Sequence, residues 1–244
     1  MLIRRLLTAI PLIPAKRTAR EILDLAPEAY SRDELEQSHA DLRMVNRYLG
    51  DRRALLKHLA AKIDGLSEFS VLDIATGSAD LPVTVAQWAR KAGRKASITA
   101  VDINELTVDI ARRYTAGHPE IKVELGDGRC LPFPEKSFDF VLCSKSNHHF
   151  SDTENVHLIL EMRRIARRGY IIMDLERSWF AYGLIYLLTR LLVRNRLTRN
   201  DGPLSVLRAF TMAELAALAE KAGTPRFTIS REPFWLLVLS GEAG

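Results

Sequence analysis

VLDIATGSADLP, residues 71–82, is the most informative stretch of the sequence, because an apolar strand runs into a turn and then directly into a helix. In proteins that alternate strands and helices, a glycine-rich turn here holds a nucleotide at the helix N-terminus. Only Gly77 of the usual glycines is present, and Ala75 and Ala79 occupy the other two positions. Their methyl groups narrow the approach of a ligand to the backbone, which a pyrophosphate would tolerate poorly. The turn therefore disfavours a nicotinamide dehydrogenase.

Short apolar strands alternate with amphipathic helices from residue 69 onward. The pattern predicts strands at 70–74, 97–101, 122–125, 138–143 and 170–173, and helices at 81–92, 105–115, 153–166 and 212–222. This alternation is typical of a doubly wound, mostly parallel α/β sheet, because each right-handed crossover needs a helix. Two β runs, 226–231 and 234–240, follow with room only for a hairpin-like turn, so the last strand is expected to be antiparallel.

Two regions depart from the alternation. Residues 16–62 have the pattern of charged helices with a break at Gly50, and we assign residues 1–65 to an N-terminal helical arm or cap and 66–244 to the α/β domain. Residues 177–208 combine an apolar run, WFAYGLIYLLTRLLV, with a basic stretch that we interpret as a loop. They predict a lid-like insertion over a lipophilic ligand. A helix packed on the sheet and a solvated basic loop are the alternatives.

Polar residues collect at the predicted carboxyl ends of four consecutive strands. Asp73, Asp102 and Asp127 mark the first three ends. The fourth strand leads into Ser144, Lys145, Asn147, His148 and His149. An acidic residue after the second strand is placed to accept from ribose hydroxyls. Each residue alone also fits a turn or capping role, but four strand ends in this order indicate a ligand site.

VLDIATGSADLP, VDIN and GDGRCLPFPEKSFDFVLCSKSNHHF together resemble class I S-adenosylmethionine (SAM)-dependent methyltransferases, in the branch of quinone and small-molecule methyltransferases. The resemblance covers roughly residues 70–240 and implies a seven-stranded Rossmann-like sheet with an antiparallel last strand, and SAM as cofactor. It also implies a set of cofactor contacts: Asp73, Ala75, Thr76 and Gly77 along the methionine part, Asp102 at the ribose, Ile103 on the adenine face, Asp127 and Gly128 at the adenine edge, and Ser144 beside them.

Methyl transfer from a sulfonium needs proximity and a dry pocket, and it needs a base only where the acceptor starts protonated. His149 is the first candidate base and His148 the second, with a packing role as the alternative for each. No metal site is predicted. We expect transfer to oxygen or carbon of a small aromatic or lipophilic acceptor, quinone- or polyketide-like. RNA or protein methylation, and SAM binding without methyl transfer, are the alternatives.

Composition limits the setting. The chain has 244 residues, a net charge of +5 and 47% hydrophobic residues, which fits one full domain with an appendage and is too weakly basic to indicate nucleic acid. Two cysteines exclude a disulfide scaffold and suggest a reducing, cytoplasmic compartment. MLIRRLLTAIPLIPAKR (1–17) is predicted to be an amphipathic arm, and the apolar run 179–193 is too short to span a bilayer. Peripheral membrane contact and the oligomeric state stay open.

Overall fold

A seven-stranded mixed sheet forms the centre of the protein. The computed structural model describes residues 13–244, so residues 1–12 of the predicted N-terminal arm lie outside the described residues. The strands are β1 (Glu68–Ile74), β2 (Lys95–Asp102), β3 (Ile121–Leu125), β4 (Phe138–Ser144), β5 (Ala166–Leu175), β6 (Phe227–Glu232) and β7 (Leu236–Glu242). They lie in the order β3-β2-β1-β4-β5-β7-β6.

The strand pairings confirm the predicted doubly wound topology. β1 pairs in parallel with β2 and β4, and β4 pairs in parallel with β5. β7 runs antiparallel to both of its neighbours, β5 and β6, as the closing hairpin predicts. The chain order reverses between β1 and β4, and in open α/β sheets ligands bind outside the carboxyl ends of the strands at such a point.

Helices cover both faces of the sheet. They are α1 (Arg32–Tyr48), α2 (Asp51–Ile63), α3 (Asp80–Lys91), α4 (Glu105–Tyr114), α5 (Asp152–Ile165), α6 (Trp179–Leu192), α7 (Arg196–Arg208) and α8 (Met212–Lys221). Val71 belongs to the core shared with α2, α3 and α4, whereas its neighbour Leu72 belongs to the core shared with α5 and α8. Successive side chains of β1 therefore enter opposite cores, and the strand is apolar along its length.

The N-terminal segment reaches the sheet through two short 3-10 helices, Ile22–Asp24 and Pro27–Ala29, and then α1 and α2. The predicted break at Gly50 is confirmed, since its φ of 94° is left-handed and the residue caps α2. Leu55, Leu59 and Ile63 of α2 are buried in one core of the sheet. The boundary at residue 65 stays a prediction.

The basic half of the 177–208 region is a helix, so its interpretation as a loop was wrong. α7 carries Gly202 and Pro203, which lower helix propensity, but Asn195 caps its first turn by accepting from the amides of Leu197 and Thr198. Leu197 and Val206 are also buried, and this tertiary burial outweighs the weak propensity. α6 packs against α7 and leaves much of its apolar surface exposed.

Candidate active site

A cavity of about 370 Å³ lies at the carboxyl ends of β1 and β4. Its polar wall includes Thr76 and Gly77 after β1 and Ser144 with the two histidines after β4. Its apolar wall comes mainly from α1 with its C-cap Leu49 and from α6, through Leu42, Val45, Ile185, Leu188 and Leu192. The cavity thus joins two of the four strand ends that the sequence singled out to a lipophilic surface.

The loop after β1 is held by hydrogen bonds to the last residues of β1 and β2. The Thr76 hydroxyl donates to Asp73 Oδ2 at 2.6 Å, and the Gly77 amide donates to Asp102 Oδ2 at 2.9 Å. Ala75, Gly77 and Ala79 all have left-handed backbones, with φ of 54°, 57° and 58°. An L-residue other than glycine is strained in this region, so both alanines hold a conformation that glycine adopts more readily.

Buried carboxylates concentrate around this loop. The pKa of Asp73 is raised to about 7, mainly by burial and also by the charges of Asp80 and Asp102. The hydrogen bond from Thr76 lowers this pKa but does not offset burial. Burial also raises the pKa of Asp80 and of Asp102. Buried carboxylates are stabilised by hydrogen-bond donors and cations. This edge of the sheet therefore fits a ligand that brings hydroxyl groups and positive charge.

One polar chain links α1, α2 and the residue after β4. Lys145 Nζ lies 2.7 Å from Asp51 Oδ1 and donates to Asn46 Oδ1 at 2.8 Å. Asn46 Nδ2 in turn donates to Asp80 Oδ1 at 3.0 Å. Lys145 is consequently a partly buried, paired residue. Asn46 and Lys145 both line the cavity, so α1 forms part of the site.

The remaining predicted cofactor residues lie outside the cavity lining. Asp102 accepts from the Asn104 amide at 3.0 Å in addition to Gly77, and Ile103 is 64% exposed beside it. Asp127 is paired with Arg129, which donates to its Oδ2 at 2.7 Å. Gly128 lies so close to β1 that an added Cβ would be 2.3 Å from Ile74 Cγ2, which gives this glycine a packing role.

His148 is fixed by an acid that the sequence analysis missed. Its Nδ1 lies 2.8 Å from Asp174 Oδ1, and its amide donates to Asp174 Oδ2 at 3.0 Å. Burial raises the pKa of Asp174, but the charge and hydrogen bonds of His148 outweigh it and lower the pKa below its usual value. Asp174 stands near the end of β5, so its strand-end position could have identified it.

His149 is fixed by the N-terminal segment. Its Nδ1 lies 2.6 Å from Asp24 Oδ1, and Arg208 of α7 donates to the other oxygen of Asp24. Burial raises the pKa of Asp24. The hydrogen bonds from His149 and Arg208 outweigh burial and hold this pKa well below its usual range. Asp24 has a local capping contact with the Glu21 amide, but no local pattern links it to His149 and Arg208, which lie more than a hundred residues along the chain.

Glu21 completes this cluster. Its carboxylate is 2% exposed, with Oε1 at 3.5 Å from His148 Nε2 and Oε2 at 3.8 Å from His149 Nε2. Burial raises the pKa of Glu21 to about 7, partly offset by the charges of His149 and Arg208. A nearly buried acid between two imidazoles faces the cavity, and the sequence offered no signal for it.

Comparisons with known proteins agree with this architecture. A family model described as a methyltransferase domain matches residues 71–169. A demethylmenaquinone methyltransferase of Deinococcus radiodurans is 31% identical over 159 residues, covering 64% of this chain and 64% of its own length. A demethylmenaquinone methyltransferase of Staphylococcus epidermidis is 26% identical over 122 residues, covering 50% of this chain and 48% of its own. These matches support a class I SAM-dependent methyltransferase family for this chain.

SAM is the cofactor of this methyltransferase family. A SAM-dependent methyltransferase of Aquifex aeolicus has the same fold, with a TM-score of 0.64 at 18% identity over 88% of this chain and 100% of its own. The chain spans about half the length of several of the curated relatives it matches, so demethylmenaquinone methylation is a property of those relatives.

Within residues 13–244, no helix has the length and apolarity needed to cross a membrane. The predicted cytoplasmic location stays a prediction.

Proposed function

We propose that the protein transfers a methyl group from SAM to oxygen or carbon of a small, aromatic or lipophilic acceptor bound in the cavity. One observation carries this proposal: the cavity joins the loop after β1 and the histidine pair after β4 to an apolar wall from α1 and α6. Proximity and exclusion of water are the main requirements of methyl transfer. The acceptor's reacting atom and the donor then share one enclosed space.

The cofactor is held by the strand-end residues in this proposal. SAM supplies a methyl group already activated on a cationic sulfonium, and its ribose brings two hydroxyl donors. Asp102 takes those hydroxyls, and the turn Asp73–Gly77 follows the methionine part. Ser144 Oγ is buried and has no hydrogen-bond partner among the described residues, so it is available to the ligand. Ile103, Asp127 and Gly128 contribute at the adenine, at the sheet edge next to the cavity.

The acceptor's proton leaves toward the histidine pair. Each Nδ1 is engaged by a carboxylate, that of Asp174 for His148 and that of Asp24 for His149. A neutral imidazole that donates from Nδ1 has its lone pair on Nε2, which makes Nε2 the basic atom. His149 is the first candidate because its side chain is 22% exposed, whereas that of His148 is 3% exposed. Asp24 and Asp174 act as positioning residues.

The acceptor is proposed to be quinone- or polyketide-like. The apolar wall favours a lipophilic molecule, and the matched relatives named demethylmenaquinone methyltransferases act on a quinone. Residues 177–208 serve as the lid in this proposal, since Ile185, Leu188 and Leu192 of α6 face the cavity. Phe180 and Leu191 of the same helix are 77% and 71% exposed, which supports peripheral contact with a membrane that delivers the acceptor.

The arginines of residues 177–208 give little support to the RNA alternative. Arg177 and Arg208 are buried, and Arg196 is paired with Glu34. A phosphate backbone is bound by exposed, clustered basic side chains. Three of the six arginines are therefore buried or paired within the protein. Arg190, Arg194 and Arg199 are the remaining three.

Calorimetric titration with SAM, with its demethylated product and with NAD as control tests the cofactor assignment. Binding of both sulfur ligands without binding of NAD is expected. Methyl transfer is then measured on a panel of phenols and quinones, with and without vesicles. Cofactor binding without turnover on the whole panel would favour the alternative of a SAM-binding module, and salt-sensitive binding of RNA would favour RNA methylation.

A further inference from the structure

Glu21, His148 and His149 bring three metal-ligand side chains together at one point of the cavity wall. One ligand atom from each residue can be chosen so that all three lie within 4.8 Å of one another. Tetrahedral coordination at about 2.0–2.1 Å places ligand atoms about 3.4 Å apart. The two distances from Glu21 oxygens to the histidine Nε2 atoms, 3.5 and 3.8 Å, are within a few tenths of an ångström of that spacing.

Both imidazoles are oriented as metal ligands are. A metal-binding histidine commonly donates its second ring N–H to a carboxylate, which fixes the tautomer and directs the other nitrogen at the ion. Asp174 and Asp24 occupy that outer position for His148 and His149, each through Nδ1. The two ring centroids are 4.3 Å apart, and each Nε2 atom lies within 3.8 Å of a Glu21 oxygen.

One carboxylate oxygen of the third side chain lacks a hydrogen-bond donor among the described residues. Glu21 Oε1 is buried and accepts no hydrogen bond from the described residues. Among the described residues, Arg208 Nη1 lies 3.6 Å from this oxygen, and Arg208 is already bound to Asp24. The carboxylates of Glu21 and Asp24 therefore share one arginine. A buried carboxylate without a hydrogen bond is costly, and a cation between Glu21 and the two imidazoles would remove that cost.

We propose that Glu21, His148 and His149 bind a divalent transition metal ion of the zinc type. Two imidazole nitrogens and one carboxylate suit zinc and its first-row neighbours, whereas magnesium and calcium prefer oxygen ligands. Three protein ligands leave a fourth position, which is the arrangement of catalytic rather than structural zinc sites. That position faces the cavity, because all three ligands line it.

Metal binding by this cluster does not depend on methyl transfer. An ion would occupy the Nε2 lone pairs that otherwise receive the acceptor's proton, so the two roles describe the ion-bound and the ion-free protein. An acceptor oxygen could then coordinate the ion at its open position. Binding is therefore tested in the absence of methyl donor and acceptor, so that failure of the proposed function leaves this result unaffected.

The test uses the full chain after treatment with a chelator. Co²⁺ is added and followed by its visible absorption, Zn²⁺ is used to displace it, and Mg²⁺ is titrated as a control. The site variants are Glu21→Gln and His149→Gln. Their matched controls are Glu28→Gln and His157→Gln, which change the same residue types at exposed positions. Circular dichroism and urea midpoints show that each variant is folded.

One ion per chain is expected, displaced by Zn²⁺ and not by Mg²⁺, with affinity reduced at least about tenfold in both site variants and unchanged in both controls. The Co²⁺ spectrum should lack thiolate charge transfer, which separates this site from binding at the exposed Cys130. If a site variant fails to fold, the wild-type spectrum and stoichiometry still decide. A thiolate band, equal affinities for Zn²⁺ and Mg²⁺, or equal Co²⁺ affinity in folded site and control variants would overturn the proposal.

Discussion

The loop after β1 and the segment after β4 lie side by side at the cavity but are built in opposite ways. After β1, Thr76 bonds Asp73 three residues away, and Gly77 reaches only as far as the neighbouring β2. After β4, the partners of the histidines come from the N-terminal segment, from β5 and, through Asp24, from α7. The loop after β1 is bonded to partners no more than 25 residues along the chain, at strand ends that the sequence pattern predicts. The cluster after β4 forms only when segments more than a hundred residues apart meet.

Loss of Arg208 should destabilise the protein most, because it disrupts the cluster after β4. Arg208 donates to Asp24 and to the carbonyl oxygens of His148 and His149, and its side chain is 8% exposed. Arg208→Met should lower the free energy of unfolding by about 3–5 kcal/mol, because it leaves buried carboxylates without their cation. Urea denaturation measures this.

Arg196→Met is the matched control at the other end of α7. Arg196 is paired with Glu34 but is 55% exposed, so its loss should lower the free energy of unfolding much less than the loss of Arg208. Similar losses for the two variants would show that the cluster after β4 is no more tightly coupled than a surface ion pair.

The second prediction concerns the buried acid of the β1 loop. The folded-state pKa of Asp73 is raised by burial from 3.8 to about 7, so the folded protein retains a proton that the unfolded chain releases. Its contribution to stability is therefore fully present below about pH 4 and is lost as the pH rises toward and beyond 7. Asp73→Asn is neutral throughout and keeps an oxygen that can accept from Thr76.

Relative to the wild type, the unfolding free energy of Asp73→Asn should rise by about 2–4 kcal/mol between pH 4 and pH 8. Urea denaturation at several pH values gives this difference, and its change with pH matters rather than its absolute size. The carboxylates of Asp80 and Asp102 and the thiol of Cys143 face the same space and remain in both proteins. A difference that stays flat with pH would show that Asp73 is ionised in the folded state.

The same contrast explains what could be predicted from sequence. β4 was predicted at 138–143 and spans Phe138–Ser144, because strands buried on both faces are continuous apolar runs. The start of β5 was placed too late, at 170 rather than Ala166, because Arg167 and Arg168 interrupt its apolar pattern. α7 was missed since Gly202 and Pro203 mask a helix that burial stabilises.

For the site, the polar residues at the strand ends could be predicted from the sequence, but the side chains that pair with them could not. Periodicity cannot join Glu21 or Asp24 to a histidine pair far along the chain. Asp102 and Asp127 illustrate a second limit, since both are acids at strand ends. One accepts from the amide of Gly77 in the adjacent loop, whereas the other is held by Arg129, two residues away. The same local pattern thus leads to two different environments.

The third prediction compares these two acids. Asp102→Ala should weaken SAM binding by about 10–100-fold, because hydrogen bonds to a charged group contribute about 1.5–3 kcal/mol. Asp127→Ala should weaken it by no more than about tenfold, since Arg129 already engages that exposed carboxylate. Calorimetric titration of both folded variants measures the affinities. An unchanged affinity in Asp102→Ala would remove the ribose contact from the proposed site.

Ala75→Gly tests the strain in the loop after β1 and should change the stability least. Ala75 is only partly buried and has a φ of 54°, so Ala75→Gly should relieve about 1–2 kcal/mol of steric strain. The greater freedom of glycine in the unfolded chain offsets part of this, leaving a net stabilisation of about 0.5–1 kcal/mol.

Ala60→Gly should change the free energy of unfolding in the opposite direction, because Ala60 is partly buried within α2 and has no left-handed backbone. There the substitution should cost about 1 kcal/mol, as glycine does within a helix. Urea midpoints of the two variants should therefore move in opposite directions. If both fall, the alanine at position 75 is not strained, and the departure from glycine after β1 has no energetic consequence for the loop.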